Sequence, residues 1–444
     1  MSSTAEPATR RPERTWLVSE HLDDVLGRLR PLDPIELRLP DAQGCVLVED
    51  VTVPVALPPF DNSSMDGYAV RVADVAGASE EFPAVLAVIG DIAAGSGQLP
   101  HVGPGEAARI MTGAPLPPGA ETVVPVEWTD GGSGGGPASG MPAHSAAPEH
   151  AGGQVRVHRP APERAHVRAR GSDAGVGELA LRAGTVLGPP QISLLAAIGR
   201  GTVRVRPRPR VVVLSTGSEL VPPGQPLGPG QIYDSNSFAL AAAARDAGAI
   251  AYRVGAVTDD AATLRATIED QLIRADLLVT TGGVSVGAYD VVKEALSGPD
   301  DDSDGVEFRK LAMQPGKPQG FGFVGDGDGG RDRAPLLALP GNPVSAYVSF
   351  ELFARPAIRT LMGVDPVHRT VVTAVCPEGV PSSPAGRRQF LRGRYDADAN
   401  AVTPVGGSGS HLVKALAHAN ALIVVPEETT SLEPGESVNV VLLD

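Results

Sequence analysis

Between residues 207 and 363 short apolar strands alternate with helical stretches, a rhythm that few folds accommodate. RVVVL (210–214), the stretch around Tyr252 to Val257, DLLVT (276–280) and PLLAL (335–339) are apolar almost throughout, as strands covered on both faces are. Helical patterns fall between them at 237–248, at 260–275, where Leu264, Ile268 and Leu272 share one stripe, and at 289–297. A further helical pattern, 343–362, follows the last strand. The alternation predicts a parallel sheet with helices on both faces and right-handed crossovers, whose ligands bind beyond the carboxyl ends of the strands.

The segments expected at those ends are STGSEL (215–220), TDD (258–260), TTGGVSVGAYD (280–290), MQPGKP (313–318) and LPGNPVS (339–345). Their glycines let backbone N–H groups approach an anion, and the helices that follow add the positive ends of their dipoles, so a phosphate-bearing ligand is expected. Glu219, Asp259 and Asp290 would gather at the same edge. Like charges so close repel unless a cation lies among them, and Mg²⁺ bound by carboxylates and substrate phosphates would serve. GGVSVGAYD reads equally as an ordinary helix start, with Ser285 as cap and Asp290 in the first turn. FDNSSMDGYA (60–69) reads equally as a tight turn in which Asp61, Asn62 and Ser63 cap their own backbone. Lys317, Arg387, Arg392 and Ser410 each read equally as surface or loop residues.

Outside the alternating region the texture changes. Leu22, Val25, Leu26 and Leu29 repeat at helical spacing before Pro31. From about 57 to 163, short apolar runs punctuated by Gly and Pro indicate a small β domain, into which residues 130–153, almost all small, Gly or Pro, are inserted as a mobile loop. After Pro366, the runs TVVTAV, QFLRGRY, ALIVVPE and SVNVVLL indicate a closing β-barrel or sandwich. At 444 residues the chain is long enough for roughly three domains on the usual length prior.

Charge and cysteine content exclude several functions. A net charge of −15 argues against nonspecific binding to nucleic acid or an anionic membrane, so any anionic substrate must be met by local cations. No window of 18 apolar residues is present, and Arg10 and Arg11 precede no apolar export segment, so the N-terminus reads as a tail. Two distant cysteines and no Cys/His cluster at metal spacing indicate a cytoplasmic protein without disulfides or structural zinc.

FDNSSMDGYAV, RIMTGAPLPPGAETVV, STGSEL, GQIYDSN, TTGGVSVGAYD, PGKP and LPGNPVSA together resemble the molybdopterin molybdenumtransferase family, MoeA in bacteria and the E domain of gephyrin in animals, from about residue 16 onward. The resemblance implies an α/β multidomain protein. A linking domain would comprise 14–56 and 164–206, the β domain with the MDGYA loop 57–163, the molybdopterin-binding α/β domain 207–365 and the C-terminal β-barrel 366–444. It implies an elongated homodimer in which the MDGYA loop of one protomer meets the sheet domain of the other, and Mg²⁺-dependent insertion of molybdate into adenylated molybdopterin with release of AMP. Molybdopterin adenylyltransferase and acceptor molybdoenzymes are the implied partners.

The resemblance carries over Asp66, Thr112, Glu219, Asp259, Asp290, Lys310 and Lys317 as catalytic residues, with Glu219, Asp259 and Asp290 as Mg²⁺ ligands. Gly282, Gly283, Ser285, Asn342, Ser345, Arg387, Arg392 and Ser410 are implied to bind substrate. Lys317, Arg392 and Ser410 suit molybdate, a tetrahedral dianion held by charge-assisted hydrogen bonds. Two positions depart from the family pattern. Gln314 stands where many members have Lys, a loss that Arg309 or Lys310 would have to offset, and Ser218 stands where Asp or Asn is common. A non-catalytic molybdopterin-nucleotide scaffold, or a paralogue handling tungstate or a variant cofactor, is the alternative. A generic nucleotide transferase lacks support because no GxxxxGK[ST] loop occurs.

Overall fold

A computed structural model describes residues 14–141, 153–283, 291–296, 305–325 and 333–443. Residues 142–152 of the inserted segment lie outside the described residues, as do Ser285 and Asp290. The chain divides into two compact units, one of residues up to Glu36, Gly44–Val48 and Arg204 onward, the other of Leu37–Gln43 and Glu49–Val203.

The larger unit is built on a seven-stranded sheet. Arg210–Thr216 lies at its centre, parallel to Ile250–Val257 on one side and to Leu277–Thr281 on the other, with Ala334–Leu339 parallel beyond the latter. Leu277–Thr281 and Ala334–Leu339 are buried along their whole length, and Arg210–Thr216 beyond its first residue. That burial on both faces explains their unbroken apolar runs. The helices fall at Asn236–Asp246, Ala261–Leu272 and Val291–Leu296, and a long helical segment runs from Pro343 to Met362, with a π-turn at Phe350–Ala354.

The sheet is not wholly parallel. Pro318–Val324 runs antiparallel to Ala334–Leu339, and Glu307–Leu311 antiparallel to Pro318–Val324. MQPGKP is therefore not a loop at the parallel strand ends. It connects these two antiparallel strands, and Met313–Gln314 within it pairs with Arg388–Gln389 of the C-terminal barrel. The sequence hides these strands because Glu307–Leu311 (EFRKL) carries charges and Pro318–Val324 (PQGFGFV) alternates Gly with Phe, which is weak strand signal.

The barrel closes on itself: Arg388–Asp396, Ala401–Pro404, Val371–Cys376, Glu436–Leu442 and Ala421–Val425 pair in that order, and the last pairs back with the first. Its interior holds Ala374, Cys376, Val402, Ile423 and Val440. Phe390 and Leu422 instead join the core of the sheet body with Met313, Val344 and Val348.

Helix Val18–Gly27 docks on the same body. Thr15–Trp16 pairs parallel with Lys310–Leu311, and Val25 and Leu29 enter the core, Leu22 and Leu26 packing against it. His21, outside the apolar stripe, is fully buried and meets Phe353 edge-on at 4.8 Å. Arg309 binds this helix: Nη1 donates to Asp24 Oδ2 at 2.7 Å and lies 3.3 Å from His21 Nδ1, Nη2 donates to Glu307 Oε2 at 2.8 Å, and the guanidinium covers the Trp16 ring at 4.0 Å. Burial, reinforced by Arg309, pushes the His21 pKa down to about 3.

The smaller unit holds a five-stranded sheet in the order Gly153–Val157, Ala84–Ile92, Glu106–Ile110, Gly67–Val70, Thr122–Pro125. Gly67–Val70 is buried throughout, with Tyr68 and Val70 in one core cluster and Ala69 in another.

Candidate functional site

The carboxyl ends of the four parallel strands surround a cavity of about 660 Å³, lined by Thr216, Gly217 and Glu219, by Asp259, by Gly282 and Gly283, and by Gly341 and Asn342. Segment 232–236 and His411 complete the wall. Four of the five loops singled out in the sequence thus meet here, and MQPGKP does not. Gly282 has φ +100, and a Cβ there would lie 2.5 Å from the Thr216 carbonyl oxygen, so only glycine lets this loop fold down on the neighbouring strand end.

The acidic residues of these loops divide their work. Asp260 caps helix Ala261–Leu272, accepting from the Thr263 amide and hydroxyl, which hold its pKa down. Asp259, one residue earlier, lines the cavity; its Oδ2 accepts from the Ser218 amide at 2.9 Å, while Ser218 Oγ accepts from the Asp259 amide at 3.2 Å. Ser218, one of the two departures from the family pattern, is half of a reciprocal clamp that fixes Asp259. Neither Glu219 nor Asp259 has an ion-pair partner among the described residues, and no group of three metal-ligating side chains occurs among them. Two unpaired carboxylates on hard oxygen donors fit Mg²⁺, which binds through one or two carboxylates together with substrate phosphates rather than in a closed protein cage.

Two further residues of the wall were quoted in GQIYDSN but given no role from sequence. Asp234, 2% exposed, accepts from Ser215 Oγ at 2.9 Å and from the Ser237 amide at 3.1 Å, joining the central strand to the next helix. Asn236 Nδ2 donates to the Gly341 carbonyl at 2.7 Å and to Thr281 Oγ1 at 3.0 Å, tying two loops together. The Ser237 cap is local, but the partners that place these two residues in the wall, Ser215, Thr281 and Gly341, are 19 to 105 residues away. Asn342 lines the cavity, whereas Ser345 is buried at 4% exposure and is not part of the lining.

The basic residues form a second group, none of them lining the cavity. Lys310 is opposite Pro318 across the antiparallel pair, and the Leu311 amide donates to the Lys317 carbonyl at 2.8 Å. The charge of Lys310, with desolvation and Arg387 adding, pushes the Lys317 pKa down. Arg387 Nη1 reaches Gln314 Oε1 at 3.5 Å. Lys310 and Arg387 therefore both lie close enough to Lys317 to act on its charge, and of the three Arg387 alone is seen to reach Gln314. Arg309 is not among them: it is 7% exposed and committed to Asp24 and Glu307.

Arg392, on the barrel strand, is 1% exposed; Nη2 donates to the Gly407 carbonyl, but Nε and Nη1 have no partner among the described residues. Burial lowers its pKa. A buried guanidinium with unsatisfied donors has unused capacity for an oxyanion. Ser410 follows on the same loop as Gly407, and its carbonyl accepts from the Val344 amide at 3.0 Å, pinning the loop to helix Pro343–Ser349.

In the smaller unit, Asp66 Oδ1 accepts from the Thr112 amide at 2.7 Å and hydroxyl at 2.8 Å, and both residues are exposed. Asp61 is not the turn former: it accepts from Arg164 Nη1 and the Arg170 amide, each at 2.7 Å. The turn is capped by Ser63, whose Oγ bonds both the amide and the carbonyl of Met65.

The chain matches the MoeA N-terminal region (domain I and II) over residues 17–199, a probable molybdopterin binding domain over 212–360 and the MoeA C-terminal region (domain IV) over 373–443. It is 44% identical over 425 residues to molybdopterin molybdenumtransferase 2 of Mycobacterium tuberculosis, covering 95% of this chain and 98% of that one. To the molybdopterin molybdenumtransferase of Bacillus subtilis it is 34% identical over 407 residues, 91% of this chain and 89% of that one. Among solved structures, a molybdopterin biosynthesis MoeA protein from Pyrococcus horikoshii superposes with a TM-score of 0.71 at 32% identity, covering 97% of this chain and 100% of that one.

Proposed function

Because the chain belongs to the molybdopterin molybdenumtransferase family, enzymes that insert molybdenum into molybdopterin, we propose that its substrate is the adenylated form and that the reaction is Mg²⁺-dependent and releases AMP. The observation that carries this reading is the glycine-floored cavity with two unpaired carboxylates, Glu219 and Asp259, at its rim. A nucleotide phosphate suits a wall of glycines at Gly217, Gly282 and Gly283, where no side chain keeps the ligand from the backbone; the Gly217 and Gly282 amides donate to the Val257 and Leu339 carbonyls, so the Gly283 amide is the one these glycines offer. Glu219 and Asp259 would hold Mg²⁺, with Asp290 as a third ligand, and the ion when bound supplies positive charge at the phosphate oxygens. The Ser218 clamp keeps Asp259 oriented.

Molybdate, the second substrate, is assigned to the basic group. Lys310, Lys317 and Arg387 supply charge, and the unpartnered Nε and Nη1 of Arg392 supply directional donors. The Asp66–Thr112 pair is exposed and its carboxylate is held in place by two hydrogen bonds, which supports a role in the reaction, and we assign it to the site of a second protomer in a homodimer. Buried free thiols at Cys45 and Cys376 support a cytoplasmic setting.

Incubation of the purified protein with adenylated molybdopterin and molybdate, with and without Mg²⁺, tests this reading. AMP release together with product able to activate an apo-molybdoenzyme is expected only with Mg²⁺, and Asp259→Asn should lower the rate. AMP no higher than in a boiled control would replace catalysis with a scaffold role.

A further inference from the structure

Among the described residues that line the cavity, His411 is the only one whose side chain can carry positive charge. The same wall holds Glu219, Asp234 and Asp259, so an anionic ligand entering it meets three carboxylates and no lysine or arginine. Of the six other side-chain donors in the wall three are already committed: Asn236 to Thr281 and Gly341, Tyr233 to the Gln225 carbonyl, and Thr281 to the Pro340 carbonyl; Thr216, whose Oγ1 is buried without a partner among the described residues, Ser235 and Asn342 carry no charge.

His411 arrives from a different part of the chain than the rest of the wall. Its loop leaves the C-terminal barrel, passes the carbonyl that Arg392 holds at Gly407, and is pinned beside the cavity by the bond from the Val344 amide to the Ser410 carbonyl. A second bond, from the Val413 amide to the His411 carbonyl at 2.9 Å, fixes the backbone at the histidine itself. The ring lies back across Gly409, where a Cβ would come within 3.0 Å of Cε1. The ring is exposed, and none of its nitrogens has a protein partner among the described residues. Lys414, one turn further on, is exposed and is not part of the wall.

We infer that His411 donates a hydrogen bond to a phosphate oxygen of the nucleotide bound in this cavity, so that the barrel loop contributes a cationic side-chain contact to that phosphate. The inference rests on the nucleotide reading of the cavity given above. A hydrogen bond to a charged group is worth enough to make its loss visible as about tenfold in affinity.

The full-length chain is titrated calorimetrically with AMP and with adenosine at constant Mg²⁺, as wild type, His411→Ala and His411→Gln. We expect His411→Ala to weaken AMP about tenfold and to leave adenosine within about twofold, with His411→Gln, which keeps a neutral donor, between the two for AMP. Unchanged AMP affinity in His411→Ala, or a parallel loss for adenosine, overturns the inference while leaving the cavity reading intact. Wild-type protein that binds neither ligand overturns the cavity reading, and this inference with it.

Discussion

Arg392→Met should make the protein more stable while removing its activity. The side chain is 1% exposed, and two of its three nitrogens, Nε and Nη1, have no partner among the described residues. Each buried unsatisfied donor costs about 1–3 kcal/mol, whereas the single bond from Nη2 to Gly407 returns about 1 kcal/mol. Methionine is unbranched and of similar length, so it can fill the same seam beside Phe390 and Leu422 without new polar groups. Replacing a buried charge by an apolar side chain of similar volume is commonly neutral or stabilising by about 1–4 kcal/mol, and two orphaned nitrogens favour a gain of about 2 kcal/mol here. For a unit of this size that is about 4 °C or more in melting midpoint. Differential scanning calorimetry of both proteins without substrate measures it, and molybdate-dependent AMP release from the same preparations should fall by about a hundredfold, the loss of a charged hydrogen-bonding group. A midpoint at or below that of wild type would refute the reasoning, because it would mean that the Arg392 donors are satisfied before substrate arrives.

Three other outcomes are expected. His21 is held neutral by burial, with its pKa lowered from 6.5 to about 3, so the unfolded chain binds a proton that the folded chain refuses. Its stabilising contribution is complete above about pH 6.5 and is lost as the pH falls toward 3; unfolding free energies from urea titrations at pH 7.5 and 5.0 should differ by about 2 kcal/mol more in wild type than in His21→Gln. Gly67→Ala would place a Cβ 2.0 Å from the Val124 carbonyl oxygen, breaking the pairing with Thr122–Pro125; a loss of about 3 kcal/mol and faster amide exchange at Tyr68–Val70 are expected. Asp66→Ala, at an exposed site, should leave the melting midpoint within about 1 °C and cut AMP release at least about tenfold, and wild-type activity would remove this carboxylate from the site.

The alternation of strand and helix was legible in the chain because a strand buried on both faces must be apolar throughout, and the helix between two parallel strands must carry one apolar stripe. Those demands are local, so RVVVL, DLLVT and PLLAL declare their places in the sheet, and the glycine loops that follow them declare its binding edge. Asp259 and Glu219 could be picked out for the same reason: each lies within a few residues of a strand end. The N-terminal helix was legible as an amphipathic stripe, but the burial of His21 was not, since its partners Arg309 and Phe353 are remote in sequence.

What the tertiary structure decided are the pairings between distant segments. Only the folded chain shows Arg309 committed to Asp24 and Glu307 and brings Lys310 and Arg387 up to Lys317, and only it seats MQPGKP between antiparallel strands and against the barrel. His411 is likewise invisible in GGSGSH, a loop of small residues that gains meaning when the Val344 amide fixes it at the mouth of a cavity built 70 to 195 residues earlier. Local patterns encode which face of an element is buried; which charges meet depends on loop closure and packing over long separations, and no short stretch of sequence carries that information.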